Sequence, residues 1–224
     1  MSQPGPAAVI FDLDGVLVDS EQAWDDARRE LAREHDRAWP PGATEAMLGM
    51  SAPEWSRYVH DEVGVPLDPP AIDQQVVARL LDAYRAHLPL IDGAVETVTA
   101  TAARWPLGLA SSSNREVIDT VLELTGLRDR FAATVSSEEV ARGKPAPDVY
   151  LEAIRQLAVA ARRCVAIEDS SNGLRSAAAA GTRVIAVPNR SFPPAADALA
   201  LAAATVGHIR EVTPALIEGV AAAA

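Results

Sequence analysis

The sequence predicts an α/β fold, a doubly wound parallel sheet with an inserted α-helical block. Three observations predict it. Short continuous apolar runs recur along the chain, helical spacing of apolar residues separates them, and the stretch from about Val16 to Leu90 breaks the rhythm with no strand-like run. Continuous rather than alternating apolar runs are the pattern of strands buried on both faces.

Residues Met1 to Pro6 are polar and rich in Pro and Gly, and read as a loose leader. Ala7 to Phe11 is the first strand candidate, ending at Asp12-Leu13-Asp14-Gly15. In the block that follows, Ser20 to His35 sets Ala23, Trp24, Ala27 and Leu31 on one helical face. Ser51-Ala52-Pro53-Glu54 has the form of a capping box opening a second helix. Asp68-Pro69-Pro70 precedes a third, running through Val76, Val77, Leu80, Leu81 and Tyr84.

Strand runs resume at Leu107 to Ala110, then more weakly at Ala132 to Val135, and again at Cys164 to Ile167 and Arg183 to Val187. Between them, Glu116 to Thr125 spaces Val117, Ile118, Val121, Leu122 and Leu124 as a helix. Pro147 starts another, with Val149, Tyr150, Ala153, Ile154 and Leu157 inward and Arg155 and Gln156 outward. Asn172 to Ala180 is an Ala-rich helix stopped at Gly181. Ala204 to Val206 is expected as a short edge strand before a C-terminal helix with a frayed Ala-rich tail. The organisation is then a core of residues 1–16 and 90–224 with helices of residues 17–89 inserted.

Composition narrows the partners. The 224 residues are 49% hydrophobic and 23% charged, the balance of a soluble globular chain, and 31 acidic against 20 basic side chains leave a formal charge of −11. Such a chain has no general attraction for nucleic acid or an anionic membrane, although a small positive cluster can hold an anionic metabolite. No apolar stretch reaches the ~18 residues of a membrane span. No basic region followed by an apolar run opens the chain, so the cytoplasm is the expected compartment. A monomer is expected. Cys164 alone offers neither an intrachain disulfide nor a thiolate cluster, and it reads as a core residue. His35, His60, His87 and His208 lack ligand spacing and read as surface or local structure.

In an open parallel sheet the ligand site lies at the carboxyl ends of the strands. Those ends carry Asp12 and Asp14, Ser111 to Asn114, and Glu168-Asp169, with Lys144 in a nearby loop. Converging carboxylates with so little counter-charge call for a divalent cation, and hard oxygen donors without His or Cys suit Mg2+. Carboxylates, a metal, one lysine, a hydroxyl and the N–H groups of a helix start together describe phosphoryl-group chemistry. Read more plainly, the Asp pair is a solvated turn, Ser113 a helix cap, Lys144 an exposed loop lysine and Glu168-Asp169 an N-cap pair. Arg142 reads as solvated. Trp24 and Trp55 either line a substrate surface or pack within the helical block.

Asp12-Leu13-Asp14-Gly15-Val16, Ser111 after Leu109-Ala110, Gly143-Lys144-Pro145-Ala146-Pro147-Asp148 and Glu168-Asp169-Ser170 resemble, in order and strand context, the four motifs of the haloacid dehalogenase superfamily. The resemblance covers nearly the whole chain, including a helical cap between the first two motifs as in the branch containing β-phosphoglucomutase. It implies a Mg2+-dependent phosphatase acting on a small phosphomonoester such as a sugar phosphate. Asp12 would be the nucleophile and Asp14 the acid and base. Ser111, Ser112 and Asn114 would bind the phosphoryl oxygens, and Lys144 would bridge phosphate and Asp12. The metal would be held by Asp12, the Asp14 carbonyl and Asp169, with Glu168 a further ligand or just behind. Gly15 would let the chain turn towards the cap.

Asp14 argues for ester chemistry over carbon–halogen cleavage, since halide needs no proton. The mutases of the resembled branch carry a cap histidine and a cap arginine where this sequence has Trp24 and Ala52. By contrast, Asp19 to Trp24 is similar to bacterial sugar-phosphate phosphatases, including those active on 2-deoxyglucose 6-phosphate. A phosphosugar mutase is the alternative activity. A non-catalytic binding module is the contrasting class, and it would need neither nucleophile nor proton donor.

Overall fold

A computed structural model describes residues 5–47, 50–189 and 192–223. Of the leader, residues 1–4 lie outside this range, as does Ala224 at the tail. The strands are β1 Ala8–Phe11, β2 Leu107–Ser111, β3 Phe131–Ser136, β4 Cys164–Glu168, β5 Arg183–Ala186 and β6 Ala204–Thr205. They form one sheet in the order β3-β2-β1-β4-β5-β6, parallel throughout. The apolar runs are therefore strands, and the weakest two, β3 and β6, take the edges.

Both faces of the sheet are covered, which is why the runs do not alternate. Val9 and Phe11 of β1 point into one apolar cluster, and Ala8 and Ile10 into the other. The first cluster draws Val98 from α5 (Ala94–Ala102), Val117 and Val121 from α6 (Arg115–Thr125) and Ile217 from α10 (Pro214–Ala222). The second takes Val149 and Tyr150 from α7 (Asp148–Leu157), Leu174 and Ala177 from α8 (Ser171–Ala179) and Ala198 from α9 (Ala196–Leu199). Cys164 is buried in β4 as a free thiol. Leu124 differs from its expected place. It is 46% exposed, because the stripe of α6 that meets the sheet ends at Leu122.

Between β1 and α5 lie α1 (Glu21–Glu34), α2 (Ala43–Ala46), α3 (Ala52–Tyr58) and α4 (Pro69–Ala86), with a π-helical turn at Val59–Val63 continuing α3. Helix α3 opens where expected, the Glu54 carboxylate accepting from the Ser51 N–H and hydroxyl at 2.8 and 2.6 Å. Helix α4 opens with two prolines in its first turn and the Asp68 carboxylate accepting from Ala71 N–H at 3.0 Å. Leu31 on α1, Trp55 on α3 and Val76 and Leu80 on α4 meet in an apolar interior continuous with the first sheet cluster. Helix α4 also lies against α6, so the inserted helices stand over the carboxyl end of β2.

Candidate active site

Register decides which side chains meet. Phe11 is level with Leu109 on β2 and Ile167 on β4, so Asp12 is level with Glu168. The Asp12 N–H still bonds to the Ile167 carbonyl at 3.0 Å, which ties the residue to the sheet beyond its last strand position. Asp12 Oδ1 accepts from Leu13 N–H at 2.8 Å and lies 2.9 Å from Lys144 Nζ. The same ammonium donates to Glu168 Oε1 at 2.6 Å, where the Tyr150 hydroxyl also donates at 2.7 Å. Asp169 completes the group. One carboxylate oxygen each from Asp12, Glu168 and Asp169 lies within 4.8 Å of the others, all three residues buried.

Two glycines make room for these acids. A Cβ on Gly15 would meet Asp169 Oδ2 at 1.8 Å, and one on Gly173 would meet Glu168 Oε2 at the same distance. Gly15 also holds φ at +74°, which a side chain would resist. Its N–H closes a tight turn onto the Val18 carbonyl at 2.8 Å.

Asp14 stands apart from the three clustered carboxylates. Its Oδ2 accepts from the Ser113 hydroxyl at 2.6 Å and faces the Ser111 hydroxyl at 3.5 Å, while its Oδ1 is buried without a hydrogen bond. Ser113 N–H in turn donates to the Ser111 hydroxyl at 3.0 Å. Ser113 thus does not cap a helix as expected. The N-cap position of α6 is Asn114, and the Ser113 hydroxyl is spent on Asp14. Asn114 Nδ2 bonds Glu138 at 2.9 Å and both oxygens of Asp73, at 3.2 and 3.1 Å, joining α4 to the end of β2. Arg142 is exposed and paired with Asp148 at 2.9 Å.

Burial and like charge dominate the electrostatics. Burial first, then Glu168 and Asp14, hold the Asp12 carboxyl well above the ordinary range despite Lys144. Burial, Asp12 and Glu168 do the same to Asp169. For Lys144, burial favours the neutral amine, but Asp12 and Glu168 outweigh it and hold the ammonium charged. Three buried acids around one lysine leave excess negative charge, with oxygen donors only. That arrangement fits a hard divalent cation, whose charge would let Asp12 and Asp169 ionise. Asp12 and Asp169 would be its ligands, with Glu168 beside them, and the Asp14 side chain is turned away from the cluster.

A cavity of about 120 Å³ opens over these groups. Asp12, Asp14, Lys144 and Asp169 form its floor, with Ser112, Ser113 and Asn114 on one side. Ser111 and Glu168 are fully buried and outside this lining, Glu168 lying against Lys144. Trp24 and Trp55 do both things open to them. Their rings pack at 5.8 Å, and both line the cavity. Arg28 packs over both rings, its guanidinium 5.0 and 4.8 Å from the two ring centres. Ser113, Tyr150, Arg28 and Glu21 are site residues that sequence reasoning did not single out. Glu21 lines the cavity, and burial pushes its carboxyl up to about 7 against a hydrogen bond with Asn189 that lowers it.

Comparison with known proteins agrees with this geometry. A family model described as haloacid dehalogenase-like hydrolase matches residues 6–181. Hexitol phosphatase B of Escherichia coli is 34% identical over 187 residues, covering 81% of this chain and 83% of that protein. Fructose-1-phosphate phosphatase YqaB of the same organism is 30% identical over 187 residues, covering 81% and 96%. Among solved structures, CbbY from Rhodobacter sphaeroides in complex with phosphate superposes with a TM-score of 0.85 at 25% identity, over 96% of this chain and 99% of that one.

Proposed function

The chain belongs to the haloacid dehalogenase-like hydrolases and is a phosphatase, and we propose that it hydrolyses a small sugar-type phosphomonoester through a phosphoryl group carried on Asp12. The observation that carries the reading is the convergence of Asp12, Glu168 and Asp169 around Lys144, with Asp14 lining the same cavity and held by Ser113. The activities named for the two relatives support a polyhydroxylated leaving group.

Both close contacts of the Asp12 carboxylate fall on Oδ1, which orients the group and leaves Oδ2 to attack phosphorus. The bond from phosphorus to the ester oxygen breaks, and Asp14 gives that oxygen a proton. The Ser113 hydroxyl pins Asp14 Oδ2, so Oδ1 is the oxygen free for proton transfer. Water then attacks phosphorus and yields its proton to Asp14. The bond to Asp12 breaks, inorganic phosphate leaves, and both acids are restored. Lys144 offsets the repulsion between Asp12 and phosphate, with Ser112 on the cavity wall as a donor to the phosphoryl oxygens, while the Asn114 amide and the Ser113 N–H are held by Asp73, Glu138 and Ser111. Mg2+, held by Asp12, Asp169 and the Asp14 carbonyl with Glu168 at or behind it, supplies further positive charge when bound.

We read residues 17–89 as a cap over a core of residues 1–16 and 90–224, working as a monomer in the cytoplasm. Among the described residues no helix is long and apolar enough to cross a membrane. The mutase alternative is disfavoured by Trp24, which lines the cavity and whose indole N–H can donate but cannot accept or relay a proton, and by Ala52, which is buried in α3.

The test is phosphate release from a panel of phosphate esters with Mg2+, products followed by phosphorus NMR. Inorganic phosphate should dominate, a chelator should abolish turnover, and Asp12→Asn should lower it at least about a thousandfold. Isomerised sugar phosphate outpacing inorganic phosphate would promote the mutase. An Asp12→Asn enzyme within tenfold of wild type would remove Asp12 as nucleophile.

A further inference from the structure

Arg28 lies in the middle of α1 and is only 9% exposed, yet among the described residues it makes no hydrogen bond or ion pair, and its Nε is a buried donor without an acceptor. Three acids face it without bonding to it. Asp25, one turn away, is held by Arg29 and Thr44, Asp14 is held through Oδ2 by Ser113, and Asp73 is held by Asn114. The guanidinium packs over the indoles of Trp24 and Trp55, but ring faces satisfy none of its N–H donors in the plane. Packing alone does not ask for a charge here, since an unbranched apolar side chain would fill the same slot. A desolvated cation of this kind is costly until an anion meets it.

The cavity says where that anion comes from. Besides Arg28, its cap wall is apolar or neutral at Trp24, Thr44, Met47, Met50 and Trp55 and acidic at Glu21, while its floor carries Asp12, Asp14 and Asp169. Lys144 and Arg28 are the cations among its lining residues, and Lys144 is committed to Asp12 and Glu168. A substrate phosphorylated over the floor therefore turns its leaving group towards a single uncommitted guanidinium. One guanidinium matches one carboxylate in charge and in its two-pronged geometry, whereas a second phosphate dianion asks for a further cation that the wall does not offer. Building on the phosphatase reading, we propose that Arg28 recognises a carboxylate on the leaving group, making phosphorylated sugar acids the preferred substrate class.

Binding tests this separately from hydrolysis. In the Asp12→Asn protein with Mg2+, calorimetry compares 6-phosphogluconate with glucitol 6-phosphate, and 3-phosphoglycerate with glycerol 3-phosphate, pairs that differ by a carboxylate. The acid should bind at least about tenfold more tightly in one pair or both. Adding Arg28→Met should collapse that ratio to about twofold or less, and Arg28→Lys should restore part of it. Melting curves establish that each variant is folded, and Arg28→Lys carries the test if Arg28→Met is not. Equal binding within both pairs, no binding by any of the four, or tighter binding of glucitol 1,6-bisphosphate than of 6-phosphogluconate would overturn the proposal. Loss of both members of a pair by the same factor in Arg28→Met would assign Arg28 to packing instead. A retained acid preference in a wild-type protein that releases phosphate from none of these esters would defeat the hydrolysis reading and leave the Arg28 assignment standing.

Discussion

The acids of the site depend on what is missing beside them. Gly15 has no Cβ, and Asp169 occupies the space one would need. Gly15→Ala should therefore push Asp169 out of the cluster and strain a backbone at φ +74°. We expect a loss of more than about 1 kcal/mol in stability, together with loss of the Mg2+-dependent rise in melting temperature. An alanine variant with unchanged melting and metal response would show that the turn relaxes freely. At this scale the sequence was legible where residue type and position coincide. Asp12, Asp14, Lys144 and Asp169 sit at strand ends or in a loop and line one cavity. Ser113 was hidden because a serine before a helix reads equally as a cap, and only the register of β2 against β1 turns its hydroxyl onto Asp14. Arg28 was hidden because an arginine in an amphipathic helix reads as part of the wet face. Tyr150 fits the apolar stripe of α7, and nothing local reveals that its hydroxyl reaches Glu168.

Helix starts form the next scale, and here local chemistry was enough. Asp68, followed by two prolines, opens α4, and its carboxylate takes one of the donors that the first turn leaves unpaired. Asp68→Ala should cost about 1 kcal/mol, read as a lowered midpoint in urea, with kcat little changed because the residue is not part of the cavity lining. A loss near zero would mean that the prolines alone define the start. The extents of helices were less legible than their starts. The apolar spacing of α6 runs on to Leu124, yet the surface it packs against stops at Leu122. No single-chain pattern marks where a neighbour ends.

Across the whole molecule, the inserted helices meet the sheet through a titratable contact. Asp73 on α4 shares the Asn114 amide with Glu138, and burial pushes its carboxyl up to about 6 against the Asn114 hydrogen bond, with Glu138 and Glu116 raising it and Arg28 lowering it. A carboxyl raised on folding holds more protons in the folded state than in the unfolded chain between about pH 4 and 6. Stability from this group therefore falls as pH rises through that window and stays lower above it. Asp73→Asn removes the titration, so the variant's melting temperature relative to wild type should climb from pH 4 to pH 7 and then level. A constant offset across that range would show that Asp73 titrates normally. The alternation of runs and helices announced the sheet itself. The partnership of Asp73 with Asn114 did not announce itself, because two elements far apart in sequence supply it.

The place of β1 has a consequence for how the protein is made. Of the strands of this sheet it is the first to leave the ribosome, and it sits inside the sheet, between β2, which begins at Leu107, and β4, which begins at Cys164. A nascent chain thus carries Ala8 to Phe11, wholly apolar and fully buried in the end, with one or both edges unpaired until β4 has been made. Pairings this distant in sequence form slowly, and an open apolar edge is a site for sticking to other nascent chains. The helices inserted after β1 emerge in that interval and can bury their own apolar faces first. Glu168 and Asp169 then arrive on the strand that closes the last edge of β1, so the acid cluster is complete only when the centre of the sheet is.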